Sequence, residues 1–252
     1  MTNKLITFPP STDCENARWI LRHHNVDYVE KPYSPPFFIF ATLLHGFKSL
    51  PLFLSKTNVP NLKPLIQHFE SLADPDKRLI PEGKTKEAFE LWAEFNIDMG
   101  NKTVIWAYTG LLPHKEIMIK PLSLGTPWLN RFVTKHIYIF PKTILWKLLK
   151  LNKSAAAEAL KGIQSKFKQV DEILADGRPF LMGDSFTIAD MAFAVSGAPL
   201  VLPKGYGGHP TEQGPVPTYE QFPSEMKKVV DEMRETAAGK FILKMYKEQR
   251  YF

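Results

Sequence analysis

The chain has 252 residues, 44% of them hydrophobic and 23% charged, which is enough apolar material for one large core or two modest ones. Its single cysteine excludes an internal disulfide framework and an all-cysteine metal site, and it fits a reducing, cytoplasmic compartment. The formal net charge is +6, yet no block of five or six cations occurs, so the charge reads as solvated surface and no nucleic-acid partner is expected.

The first residues, Met1 to Lys4, lack the apolar run of a secretory leader. Leu5 to Phe8 reads as a short strand, followed by Pro9, Pro10 and a helix start at Ser11-Thr12-Asp13-Cys14-Glu15. Thr12 and Glu15 have the spacing of a capping box. The head of a helix concentrates unpaired N–H groups and partial positive charge. Ser11 there has two readings: a simple cap, or a group that holds an anion or stabilises a thiolate. Cys14, one turn in and without a companion cysteine, reads as a small buried hydrophobe. Ala17, Ile20 and Leu21 form a helical stripe that Asn25 ends, and Val26 to Val29 alternates as a strand. The adjacent pair His23-His24 lacks further ligands at metal-binding spacing, so no metal is expected.

Pro35 to Leu44 is very apolar but far shorter than the ~20 residues needed to span a bilayer. Ser49 to Leu54 is predicted as a strand beginning at Pro51; the isomer of the Leu50–Pro51 bond is open. Val59 beside Pro60 fits only an edge strand. Lys63 to Phe69 reads as a helix with Pro64 at its first position and Lys63 as its cap. Strands alternating with helices over residues 1–73 imply an α/β layer.

Residues 74–86 read as a linker, rich in proline and charge, and the pattern beyond them is helical. Phe89, Trp92, Ala93 and Asn96 fall on one helix face. Trp106 and Tyr108 are candidates for an apolar binding site, with core packing as the alternative. Arg131 to Lys153 mixes aromatic residues with lysines. It reads either as an amphipathic surface segment or as a helix pair covering a core, and the second is preferred, so membrane association is not expected. Ala155 to Leu174 carries a stripe of Leu160, Ile163, Phe167, Val170 and Leu174. Thr187 and Asp190 are spaced as a capping box, and Phe186 and Met191 as a hydrophobic staple. Residues 203–223 form a loop rich in Pro and Gly, and Glu225 to Lys247 a last helix or pair broken near Gly239.

Two segments carry a family resemblance. Ser11-x-x-Cys14 followed by Arg18, with the Leu50-Pro51 turn, is similar to the thioredoxin-like half of serine-type cytosolic glutathione transferases such as theta and phi. Phe180-Leu181-Met182-Gly183-Asp184 through Asp190 resembles the turn into the core helix of that family's second domain. The resemblance spans roughly residues 3 to 200. It implies an α/β thioredoxin-like glutathione-binding domain over 1–73, a linker over 74–86 and an all-α helical domain over 87–252.

What the resemblance implies about chemistry is a detoxifying transferase with glutathione as co-substrate and no metal. Ser11 would donate a hydrogen bond to the glutathione sulfur, favouring the thiolate of a thiol whose ordinary pKa is about 8.5. That thiolate would attack an apolar electrophile or a reducible substrate, with peroxidase activity on the side. Thr12, Leu50, Pro51, Leu62 and Lys63 would line the glutathione site, Trp106 and Tyr108 the hydrophobic one, and the family tends toward homodimers. The chain departs from the pattern at the third helix, where Leu62 and Lys63 stand in place of an acidic residue and a serine. Lys63 reads either as a point charge for the γ-glutamyl carboxylate or as an exposed lysine. A second reading follows from that departure: a non-catalytic carrier of hydrophobic ligands.

Overall fold

Leu5 and Ile6 are buried on the two faces of β1 (Lys4–Thr7), which makes it a central strand. The structure is a computed structural model and describes residues 2–207 and 214–250. The sheet order is β2-β1-β3-β4. β1 runs parallel to β2 (Val29–Pro32), with Leu5 opposite Glu30, and antiparallel to β3 (Leu52–Leu54), with Leu5 opposite Phe53. β4 (Val59–Pro60) pairs only with β3, so Pro60 lies at the edge, where its missing N–H costs no ladder bond. The Leu50–Pro51 bond is cis.

Three helices pack with this sheet: α1 (Thr12–His23), α2 (Phe37–Leu43) and α3 (Leu62–Leu72). Asn25 ends α1 as expected, in the left-handed region at φ 53°. The next residues finish the helix end, with the Val26 N–H bonded to the Leu21 carbonyl at 2.8 Å, so β2 starts three residues later than the alternation suggests. The cap of α3 is Asn61, at φ 66°, and Lys63 lies inside the helix. Asparagine tolerates that left-handed turn, and this moves the helix start two residues back from the position Pro64 implied.

The rest is helical. α4 (Thr85–Trp92), a wider i→i+5 winding over Ala93–Met99, and α5 (Gly100–Leu111) form one continuous rod. There follow α6 (Lys115–Ser123), α7 (Trp128–His136), α8 (Ile139–Leu148), α9 (Lys153–Leu174), α10 (Ile188–Val201), α11 (Ser224–Glu235) and α12 (Ala237–Glu248). A thioredoxin-like α/β part is thus followed by an all-helical part, and one hydrophobic core is continuous across both. α10 is buried on nearly every face. The expected box forms at its head. The Asp190 carboxylate accepts from the Thr187 N–H at 2.8 Å, the Thr187 hydroxyl at 2.6 Å and the Leu181 N–H at 2.7 Å. Gly197 lets α12 cross close by, since a Cβ there would sit 2.4 Å from Ile242 Cδ1. The α11–α12 break lies at Thr236, whose hydroxyl caps α12 at the Gly239 N–H (2.9 Å).

The α7–α8 pair only partly covers the core. Tyr138, Pro141 and Leu145 are buried, and the Tyr138 hydroxyl donates to the Leu112 carbonyl at 2.9 Å. Trp128, Phe132, Ile139 and Phe140 are turned outward. No helix of the described residues is long and apolar enough to cross a membrane.

The linker is held firmly. Glu70 accepts from the Leu79 N–H (2.9 Å) and the Ile80 N–H (3.1 Å), and His23 bonds the Lys77 carbonyl through Nε2 at 3.0 Å. The Ile188 N–H in turn bonds the Leu79 carbonyl at 3.1 Å, so the linker also fixes the start of α10.

A buried ion network anchors α1. The Thr12/Glu15 box does not form, because Ser11 is the cap and Glu15 turns inward. One Glu15 oxygen accepts from Arg250 Nε at 2.8 Å; the other accepts from the Gly207 N–H at 2.8 Å and pairs with Arg18 at 3.3 Å. Arg18 also grips Glu30 at 2.8 Å, and Thr7 donates to Glu30 at 2.6 Å. Burial pushes the Glu30 carboxyl up, but Arg18 and the hydrogen bonds from Arg18 and Thr7 outweigh it and hold the group below the usual range.

Two outcomes are expected. Glu15→Gln removes the carboxylate that two buried guanidiniums share, at a cost of about 3–5 kcal/mol; urea denaturation at neutral pH measures it. Burial, with His23 and Lys77 nearby, pulls His24 from its ordinary 6.5 down to about 4. The unfolded chain binds that proton first, so stability is full above about pH 6.5 and falls as pH drops toward 4. Glu70, pushed up by burial, takes up a proton more readily when folded and offsets part of the loss at the acid end. His24→Phe keeps the stack on Phe69 and should flatten this limb in urea titrations between pH 6.5 and 4.

Candidate functional site

The turn from β1 into α1 sets the site. Leu5 and Ile6 commit β1 to the core, the two prolines stop it, and Ser11 adopts the extended conformation of a cap (φ −69°, ψ 129°). Its hydroxyl oxygen accepts from the Cys14 N–H at 3.3 Å, so the hydroxyl proton is left to donate elsewhere. Ser11 is half-buried. Asp13 and Glu15 place carboxyl groups in the first turn.

Cys14 has the inert role. It is fully buried, its sulfur accepts from the Phe8 N–H at 3.4 Å, and burial pushes its thiol up to about 11. Arg18, Phe8 and Ser11 lower it only in part. At neutral pH it is a protonated thiol and a poor nucleophile.

An apolar pocket opens beside the turn. Pro10 and Thr12 form one wall, Tyr108 and Leu111 of α5 another, and Met118 and Val216 close it. Ser11 lies between the two turn residues that line it. The Tyr108 hydroxyl is buried and has no hydrogen-bond partner among the described residues, and the same holds for the Thr103 hydroxyl on the same wall. Burial pushes the Tyr108 phenol far up, so it stays an O–H donor. An apolar pocket with unpaired buried hydroxyls is built for a ligand that carries a hydrogen-bonding group.

The structure separates the remaining expected site residues. Thr12 and Tyr108 share the pocket, whereas Trp106 is buried and does not line it. Pro51 is buried, and its carbonyl accepts from the Asn61 N–H at 2.9 Å, tying the Leu50–Pro51 turn to the head of α3. Leu50 is half-buried and packs against the core. Leu62 belongs to the core, and the Lys63 ammonium lies 5.2 Å from the centre of the Phe89 ring. Lys63 is therefore directed at α4 by a cation–π contact.

The sequence reading missed a relay of polar groups. Asn96, in the wide winding between α4 and α5, accepts from Asn16 at 2.8 Å and donates to the Asp13 carboxylate at 3.0 Å. Burial pushes the Asp13 carboxyl up, and the Asn96 amide draws it partly back. This relay fixes the first turn of α1 against the helical part. The signal for it was an amide on an otherwise apolar helix face, at Asn96.

Comparison with known proteins places this architecture. Residues 153–214 match the family described as glutathione S-transferase, C-terminal domain. The fold is that of the glutathione transferases. The glutathione transferase GSTFuA3 of Phanerochaete chrysosporium superposes with a TM-score of 0.58 at 14% identity, over 98% of this chain and 96% of that one. The beta-etherase LigF of Sphingobium sp. strain SYK-6 gives 0.57 at 15% identity, over 97% and 99%. A glutathione S-transferase of Methylobacillus flagellatus with glutathione bound gives 0.55 at 13%, over 96% and 98%. No curated protein matches the sequence.

Proposed function

We propose that this protein is a glutathione transferase of the serine type. The observation that carries the reading is the Ser11 hydroxyl. It caps α1 through its oxygen, which leaves its proton free of that bond, and its neighbours Pro10 and Thr12 line an apolar pocket together with the unpaired phenol of Tyr108. Ser11 would donate to the glutathione sulfur and, with the helix head, hold it as a thiolate. Thr12, Leu50 and Pro51 would flank the peptide, and the backbone N–H groups at the head of α3 would receive its γ-glutamyl end. The pocket beyond Thr12 would take the apolar electrophile, with the Tyr108 O–H available to a developing negative charge. Ser11→Ala is expected to lower kcat/KM toward a chloronitroarene by roughly 10²-fold, the scale of one lost donor to developing charge. Rescue by Ser11→Thr would support the donor role; unchanged turnover in Ser11→Ala would remove Ser11 from the mechanism.

One observation favours a second reading, the non-catalytic carrier of hydrophobic ligands. Leu62 is consumed by the core and the Lys63 ammonium is engaged with Phe89, so neither side chain is aimed at a peptide carboxylate. Titration calorimetry separates the two. Heat saturating between about 10 µM and a few mM glutathione supports the transferase, and no heat at high millimolar supports the carrier.

A further inference from the structure

The charge of this chain is not evenly distributed. Between Glu116 and Glu158 there is no Asp or Glu, while seven Lys or Arg fall there. The remainder of the chain then holds 25 cations against 26 carboxylates, a net charge of −1, so the whole positive excess of +6 comes from this stretch. It contains α7 and α8.

The same stretch concentrates exposed apolar side chains. Of the thirteen large hydrophobic residues exposed among the described residues, seven lie between Trp128 and Leu148. Trp128, Leu129 and Phe132 are spaced i, i+1, i+4 on α7, and Trp128 is 71% exposed. Ile139, Phe140 and Leu148 project from α8. Arg131, Lys135 and Lys147 are exposed alongside them. Among the described residues, no ion pair uses a cation of this stretch. The patch is firmly mounted: the buried Asn130 of α7 accepts from the Ser34 N–H at 3.1 Å, and Tyr138 is tied to the end of α5.

Exposed aromatic and aliphatic side chains among Arg131, Lys135 and Lys147, with no carboxylate on α7 or α8 themselves, match the face of an interfacial helix. The charge sign selects the occupant. A second copy docking by this patch about a two-fold axis would set Arg131, Lys135 and Lys147 against the same three cations, with no carboxylate on either helix to offset them, which disfavours self-association. We propose that α7 and α8 form a docking face for an anionic lipid bilayer, with the side chains around Trp128 and Phe132 entering the headgroup boundary and the cations facing acidic lipid. This attachment is peripheral. Each cation near such a surface adds to an attraction that falls off within a Debye length. The inference does not depend on the transferase reading.

Vesicle co-sedimentation of the full chain tests it. Vesicles of phosphatidylcholine with 30 mol% phosphatidylglycerol should bind the protein at low salt, and pure phosphatidylcholine should bind it at least about tenfold more weakly. Binding should weaken steeply in 0.5 M salt. Trp128→Ser with Phe132→Ser, both exposed, should cut binding by about tenfold or more without shifting the thermal midpoint, and Lys135→Glu with Lys147→Glu should do the same. Binding should also shift the Trp128 fluorescence to the blue, a change lost in the serine variant. Absence of binding to acidic vesicles at low salt would overturn the proposal. So would equal binding to neutral vesicles, or binding to acidic vesicles that the serine variant leaves intact, the result expected of a site for a soluble acidic protein.

Discussion

The position of α1 rests on one buried carboxylate. Glu15 is withdrawn from water entirely and is tolerated because two guanidiniums and a backbone N–H converge on it. Those partners come from α1 itself, from the end of the chain at Arg250 and from the loop at Gly207. Arg18 then extends the network to Glu30 on β2. Strand, helix, loop and C-terminal segment are thus registered against one another around a charge that none of them could bury alone. The Trp19 indole, which donates to the Gln249 carbonyl at 3.2 Å, braces the same junction from the apolar side. Only with α1 held this way does Ser11 keep its place at the helix head, between Pro10 and Thr12 of the pocket lining.

A second set of contacts fixes α1 from the helical side. Asn16, Asn96 and Asp13 form a short amide–carboxylate chain in a largely apolar interface, where geometry counts for more than the energy of each bond. Phe186, stacked on Trp19, and the linker held by Glu70 and His23 complete the joint. The first helix is therefore a shared element, common to the sheet layer and the helical layer.

Much of this architecture was legible in the sequence because its signals are local. Thr187 and Asp190 specify a helix start by spacing alone, Asn25 ends α1 by its tolerance of a left-handed turn, and Pro60 confines its strand to an edge. The errors arose where long-range partners decided. Glu15 looked like a capping acid because Arg250, 235 residues away, is invisible to local pattern. The core cover expected of α7 and α8 holds for Tyr138, Pro141 and Leu145 and not for Trp128, Phe132, Ile139 and Phe140, since periodicity reports a face and not what that face meets. The candidate site divides in the same way. Ser11 at a helix head is readable from local signals, whereas the pocket-lining position of Tyr108, the cation–π contact of Lys63 and the burial of Trp106 depend on how α4 and α5 lie.

The wide winding over Ala93–Met99 has a bearing on how this site could change. Every residue of a regular helix swings its side chain by a constant angle, and a stretch wound i→i+5 breaks that constancy, so α4 and α5 are out of phase with each other. Phe89 and Trp92 can thus face their own neighbours while Thr103 and Tyr108 face the pocket. Loss of a single residue from this segment would straighten the rod and rotate everything beyond it, emptying the ligand wall of its phenol while leaving α4 seated. In this protein the shape of the pocket can therefore be re-tuned by chain length at one point of a helix, about one turn before the first residue of α5 that lines it.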